Sequence, residues 1–329
     1  MTNKLFREKF KVIVYLFTAK VRSKLLLYAI RNLYKNYPTN QTIFLITRIF
    51  DPNAIRKKIR LSIRRIKVEF VTNSGERLFL ELNDHVDWTT FIHGSFDDTY
   101  LNLMEELSAK TEKIWKFIDV GANFGSISIP IGKKWEVLAF EPQPELYNRL
   151  KAHSEINNCT KIMMENLALA SKKVVNETNG LLHLYRPPGN SGATSHISNW
   201  NPSMAGPEII TVNVITLDNA MQNKAKFWEE SNILIKIDVE GGELEVLQGG
   251  FNFIRRTRPI IILEYRRDLL KTGVGEELLA FVESLPDYCK KSLLRSEKNG
   301  RIHLEHWDSA TRKFELALVP NEKLTYFSF

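Results

Sequence analysis

Two carboxylates and two glycines stand at a spacing that could hold a small cationic cofactor. Asp119 lies two residues before Gly121, Gly125 follows four positions later, and Glu141 comes twenty-two positions after Asp119. Apolar runs at residues 115–118 and 137–140 lead into each acidic end, so the segment reads as a βαβ unit. Its second carboxylate is placed to accept both hydroxyls of a ribose. A dinucleotide site would need G-x-G-x-x-G, so that backbone amides and a helix N-terminus face a pyrophosphate. Here the pattern is G-x-x-x-G with an acid just before it, which would repel a pyrophosphate. S-adenosylmethionine carries an ammonium and a sulfonium instead, and acidic groups attract both. On this reading Asp119, Gly121, Ala122, Asn123 and Gly125 form the turn for its methionine part. Glu141 and Pro142 take the ribose. The competing reading is an ordinary strand-to-helix turn with two solvated acids.

Methyl transfer from a sulfonium is an in-line displacement, in which alignment can contribute about 7 to 11 kcal/mol. A hydroxyl acceptor must also lose its proton, and a placed base adds roughly 10²- to 10⁴-fold. Asp238 follows the apolar run 233–237, with Glu240 and Glu243 on the glycine-containing turn after it. Asp238 and Glu240 are therefore the candidate catalytic carboxylates, and Asp238 can also balance the sulfonium. Their alternative is to cap the next helix, expected at residues 244–254. Asn166 and Ala168, around the end of a third strand expected at 162–168, are placed near the adenine. Asp218, Asp238, Glu240 and Glu264 are hard oxygen donors near strand ends, but no spacing forces them together, so no metal site is expected. Glu264 reads equally as a pocket carboxylate or a lysine's partner. The seven histidines form no ligand motif. His93 could line an acceptor pocket, His183 and His196 could act as a base of near-neutral pKa, and His153 reads as solvated.

Phe117-Ile-Asp-Val-Gly-Ala-Asn-Phe-Gly-Ser126 and Lys236-Ile-Asp-Val-Glu-Gly241 are followed by Arg258-Pro-Ile-Ile-Ile-Leu-Glu-Tyr265. With Asn166-Leu-Ala-Leu-Ala170 and Val214-Ile-Thr-Leu-Asp218 they stand in the order seen in one group. The chain resembles the FkbM family of S-adenosylmethionine-dependent methyltransferases across residues 78–320. The resemblance implies an α/β, class I methyltransferase (Rossmann-like) doubly wound sheet with a reversed C-terminal strand pair, expected at 288–294 and 314–319. It also implies transfer of a methyl group to an oxygen of a sugar or natural product, with a small-molecule or glycan acceptor.

With 329 residues, 43% hydrophobic and 26% charged, the chain can build one large α/β domain and an N-terminal addition. Two cysteines, Cys159 and Cys289, exclude a disulfide framework or a cysteine-rich zinc site and fit a reducing, cytoplasmic setting. Charge is uneven. Residues 1–68 carry 17 Lys and Arg against Glu8 and Asp51, a balance of +15, which leaves −7 of the total +8 for the rest. Residues 1–68 are accordingly read as a basic helical and β-hairpin N-terminal extension, and 69–329 as the methyltransferase domain. A helix expected over 6–37 puts Lys20, Lys24, Arg31 and Lys35 on one side, ends at Pro38, and could lie on an anionic membrane surface. Its alternative is to pack on the domain and show its lysines to water. A hairpin is expected from 59–71 and 77–82 around Asn73-Ser-Gly-Glu76. No aromatic-rich nucleic-acid module accompanies the basic residues, which disfavours nucleic acid as a partner.

Residues 170–211 interrupt the strand–helix alternation with four prolines and several glycines, and this insertion could cover the acceptor site. Asn190-Ser-Gly-Ala-Thr194 resembles the family's small polar segment at this place. The leading function is O-methylation of a carbohydrate or glycolipid-like hydroxyl, with the basic segment at the inner membrane surface. Two further readings are an N-methyltransferase or small natural-product methyltransferase, and a non-catalytic polyanion-binding protein that keeps the fold.

Overall fold

Strands β3 (Trp115–Val120) and β9 (Asn232–Ile237) are buried at every position, as expected for central strands covered on both faces. The computed structural model describes residues 67–198, 206–266, 274–295, 302–307 and 313–327. The helix expected over 6–37 and the first part of the expected hairpin lie outside these residues.

The chain divides into two compact units, one ending at Phe96 and one beginning at Asp97. In the first, β1 (Lys67–Val71) and β2 (Arg77–Glu81) form the expected antiparallel hairpin. Val68, Phe70, Leu78 and Leu80 alternate inward along it. A helix over His85–His93 follows, its first turn capped by the Asp84 side chain accepting from the Val86 amide.

The second unit is built on β3, β4 (Glu136–Phe140), β5 (Ile162–Glu165), β9, β10 (Ile260–Arg266), β11 (Tyr288–Arg295), β12 (Ile302–His306) and β13 (Lys313–Pro320). The sheet order is β12-β11-β13-β10-β9-β3-β4-β5. From β3 the chain steps outward through β4 and β5, then returns to β9 on the other side of β3 and continues to β10. All four contacts among these five strands are parallel. The order reverses between β3 and β9, and a crevice opens at the carboxyl ends of strands flanking such a point. The last strands run antiparallel, with β13 inserted between β10 and β11. This is the reversed pair expected at the C-terminus, and β12 is an additional edge strand that the sequence reading did not contain. The architecture is the class I, Rossmann-like α/β fold.

The segment expected as an irregular insertion carries its own sheet. β6 (Ala168–Leu169), β8 (Glu208–Ile215) and β7 (Leu181–Arg186) lie in the order β6-β8-β7, with β7 and β8 antiparallel. The helix expected over 244–254 is two helices, Glu243–Gly249 and Phe251–Thr257. The change falls at adjacent glycines, where a Cβ on Gly249 would meet the Ala170 carbonyl oxygen at 2.1 Å. That close approach sets the first helix directly against the chain leaving β6. Among the described residues, no helix is long and apolar enough to cross a membrane.

Candidate active site

The turn after β3 is held by backbone geometry that side chains would spoil. Gly121 has φ +86°, and a Cβ there would lie 2.0 Å from the Asp238 carbonyl oxygen. The amides of Gly121 and Ala122 both donate to the Phe140 carbonyl at 3.0 Å, and the Asp238 amide donates to the Val120 carbonyl at 3.0 Å. The ends of β3, β4 and β9 are thereby tied to one turn. Beside it opens a cleft of ≈ 750 Å³ of non-atom space, its open mouth included.

Of the residues expected to hold a cofactor, Gly121, Asn123, Glu141, Pro142, Ala168 and Asp238 line this cleft, together with Glu240. Glu141 is buried after β4. Its Oε2 accepts from the Asn123 amide and its Oε1 from the Gln143 amide, each at 2.8 Å. Burial pushes its carboxyl up to about 7, against the pull of those two amides. Asp119, Ala122, Gly125 and Asn166 stand outside the cleft wall. The Asn166 amide group donates to the carbonyls of Glu141 (2.8 Å) and Pro142 (3.0 Å), so it clamps the loop that presents Glu141.

Asp119 is 0% exposed and accepts from Ser128 Oγ at 2.6 Å. Among the described residues its other oxygen has no hydrogen bond, but the Lys236 ammonium lies 3.5 Å away and compensates its charge. Lys236, only 3% exposed, also approaches Asp238 Oδ2 at 3.2 Å. Desolvation lowers the lysine's pKa, but Asp238 and Asp119 outweigh it and hold it above the usual lysine range. Farther back, Tyr100 donates to Glu315 at 2.7 Å, and burial pushes that carboxyl up to about 7. The sequence signal for Lys236 was its place two residues before Asp238, but its partners follow only from strand register.

Glu243, the first residue of the helix Glu243–Gly249, ties the turn that precedes it, whose last residue, Gly242, is the helix's N-cap. Glu243 accepts from the Val239 amide (3.2 Å) and the Gly241 amide (3.0 Å), and burial pushes it up to about 8. Glu240 adopts φ +52°, and its carbonyl accepts from Ser195 Oγ at 2.7 Å. Oxygens of Asp238, Glu240 and Glu264 come within 4.8 Å of one another. Three of the four hard oxygen donors thus converge, which their spacing in the sequence did not show. Asp218, the fourth donor considered, caps the helix Phe251–Thr257 through the Asn252 and Phe253 amides.

The insertion does reach the cleft. Ser191, Gly192, Thr194 and His196 line it. Gln143, which the sequence reading passed over, joins it to the β4 end by donating to the Ser191 carbonyl at 3.3 Å. His183 is exposed beside Thr211, outside the wall, and His93 ends a helix of the first unit. His153, read as solvated, is 0% exposed. Its Nδ1 bonds the Phe124 carbonyl at 2.8 Å and its ring meets Phe124 edge-on at 5.7 Å, because its position on the helix Pro144–Ile156 faces the glycine turn.

A curated relative, hexuronic acid methyltransferase AglP of Haloferax volcanii, is 25% identical over 162 residues, 49% of this chain and 59% of that protein. Among solved structures, methyltransferase FkbM of Methylobacillus flagellatus matches with TM-score 0.36 and 16% identity, over 62% of this chain and 43% of that one. TYW2 of M. jannaschii, in complex with AdoMet, matches with TM-score 0.34 and 11% identity, over 78% and 86%. The glycine turn, the cleft and the Asp238 turn all fall inside residues 119–288, just over half the chain, which match the model of the methyltransferase FkbM domain. The chain belongs to the FkbM methyltransferase family.

Proposed function

We propose that this protein transfers a methyl group from S-adenosylmethionine to a hydroxyl of a carbohydrate or glycolipid-like acceptor. The observation that carries the reading is the Glu141 carboxylate, fixed by two backbone amides in the wall of the cleft. A carboxylate held there suits the paired hydroxyls of a ribose. Gly121, also in the wall, leaves open the space a Cβ would take. Asp238 and Glu240 place negative charge beside the same cavity, which suits a cationic ligand and disfavours a pyrophosphate. Bound there, S-adenosylmethionine would supply an activated methyl group carried on a sulfonium.

This chain's own residues then have separable tasks. Glu141 would anchor the ribose, and the turn 121–125 would receive the methionine part. Asp238, its carboxylate steadied by Lys236, would balance positive charge near the reacting carbon. Residues 191–196 would close one side and limit water. The +15 segment at residues 1–68 would hold the enzyme against an anionic membrane where such an acceptor is anchored. The carbohydrate assignment draws on the similarity to a hexuronic acid methyltransferase.

The test is transfer of isotopically labelled methyl to a panel of monosaccharides, hexuronic acids and amino sugars, followed by mild alkali. The expected product is an alkali-stable methyl ether on a hydroxyl. Label lost in alkali, as from a methyl ester, or label retained on nitrogen would overturn the O-methyl assignment.

A further inference from the structure

We infer that His196 is the general base that takes the proton from the acceptor hydroxyl, with Glu245 as the carboxylate that faces the imidazolium so formed. The inference rests on the proposed methyltransferase reading and assigns the one chemical role that reading leaves open.

The position of His196 is set by the residue before it. Ser195 is fully buried and paired with Tyr185 in both directions, its amide donating at 3.3 Å and its carbonyl accepting at 2.7 Å. Its Oγ donates to the Glu240 carbonyl at 2.7 Å and accepts from the Ile197 amide at 3.1 Å. The chain on either side of His196 is thus pinned to β7 and to the turn after β9. Between these fixings the ring enters the cleft that Glu141, Asp238 and Glu240 also line. It lies against the bare backbone of Gly242, where a Cβ would come within 3.5 Å of its Nδ1 and Cε1.

Glu245, on the helix Glu243–Gly249, lines the same cleft. Among the described residues its Oε2 is a buried oxygen without a hydrogen-bond partner. Such an atom is costly unless something supplies a donor or a positive charge. A protonated His196 supplies the charge. The acids that line the cleft with His196 are Glu245 from that helix, Asp238 and Glu240 from the turn after β9, and Glu141 from the end of β4, and of these Glu245 is the one that acts on the ring's charge. Burial lowers the imidazole's pKa below its usual value, with Glu245 opposing, so at neutral pH the ring is an uncharged base. Of the other candidates, Asp238 faces the Lys236 ammonium, His153 is bonded to Phe124 and His183 points to Thr211 at the surface, while Glu240 lines the same cleft.

In the step, the acceptor O–H bond breaks and its proton goes to the His196 ring while the oxygen forms its bond to the methyl carbon. The carbon–sulfur bond breaks and its electron pair stays on sulfur. One positive charge is lost at the sulfonium and one appears on the imidazolium, so charge balances, and the proton leaves to solvent by the open mouth.

The experiment uses the full chain with S-adenosylmethionine, and D-glucose, D-galactose, D-mannose and D-glucuronate as probe acceptors. It compares wild type, His196→Asn and Glu245→Gln, with S-adenosylhomocysteine affinity by calorimetry and the imidazole resonance by NMR as readouts independent of turnover. In wild type, kcat should rise with pH through the midpoint at which the His196 resonance titrates, which lies below the usual imidazole value, and level off above it. His196→Asn should lose roughly 100-fold or more in kcat and lose that midpoint, with cofactor affinity unchanged within about threefold. Glu245→Gln should move both midpoints to lower pH, because it removes the charge that favours the imidazolium. A folded His196→Asn protein with near-normal kcat, or with the same pH midpoint, overturns the assignment while leaving the methyltransferase reading intact. Wild type that fails to bind S-adenosylhomocysteine overturns both.

Discussion

Glu141→Ala should weaken S-adenosylmethionine binding roughly 10- to 150-fold, the cost of losing a buried hydrogen bond to a charged group at about 1.5 to 3 kcal/mol. Two of the carboxylate's acceptor positions are filled by the amides of Asn123 and Gln143, and the group lines the cleft. A ribose diol would meet an acceptor already fixed in place, which is why deletion should act on affinity more than on turnover at saturation. The sign of the pH dependence follows from the burial of Glu141. With its carboxyl pushed up to about 7 in the free protein, lowering the pH protonates it and removes acceptor capacity. Wild-type affinity for S-adenosylhomocysteine should therefore tighten as pH rises through about 7, and that component should vanish in Glu141→Ala. Calorimetry at several pH values measures both. A folded variant of unchanged affinity would remove Glu141 from the cofactor site.

Lys236→Met should cost about 3 to 5 kcal/mol of stability, because it leaves buried acids without their cation. Asp119 is the principal loser. Its Oδ2 keeps the Ser128 hydroxyl at 2.6 Å, but among the described residues its Oδ1 has only the ammonium at 3.5 Å. Asp238 is partly exposed and can turn to water, so it should contribute less. Chemical denaturation of Lys236→Met and of Lys236→Met with Asp119→Asn separates the terms. The second change should recover a large part of the loss. Full persistence of the loss in the double variant would show that Lys236 acts by packing rather than by charge.

What could be read in the chain was what is local along it. The glycine turn, the acid after β4 and the carboxylates after β9 are short-range patterns, and each falls at a strand end because apolar runs of four to six residues mark the parallel strands. The charge pair between Asp119 and Lys236 is not local. It exists because β3 and β9 pair in parallel with these two residues opposite each other. His153 was misread for a related reason: helical spacing does not reveal that the glycine turn lies against the helix Pro144–Ile156 beyond β4. The sheet of β6, β7 and β8 was hidden by prolines and glycines concentrated between its last two strands. Asn166 could be placed near the site from sequence, yet its grip on the Glu141 and Pro142 carbonyls requires the loop's path. The break between helices at Gly249 and Gly250 likewise depends on a contact with Ala170, far away in sequence.

The central claim, a cleft built for S-adenosylmethionine rather than for a dinucleotide, is tested most directly by calorimetric titration of the full chain with S-adenosylmethionine, S-adenosylhomocysteine and NAD in parallel. The account predicts saturable one-to-one binding of the first two and no measurable heat from NAD. Binding of NAD, with no binding of either sulfur ligand, would contradict it.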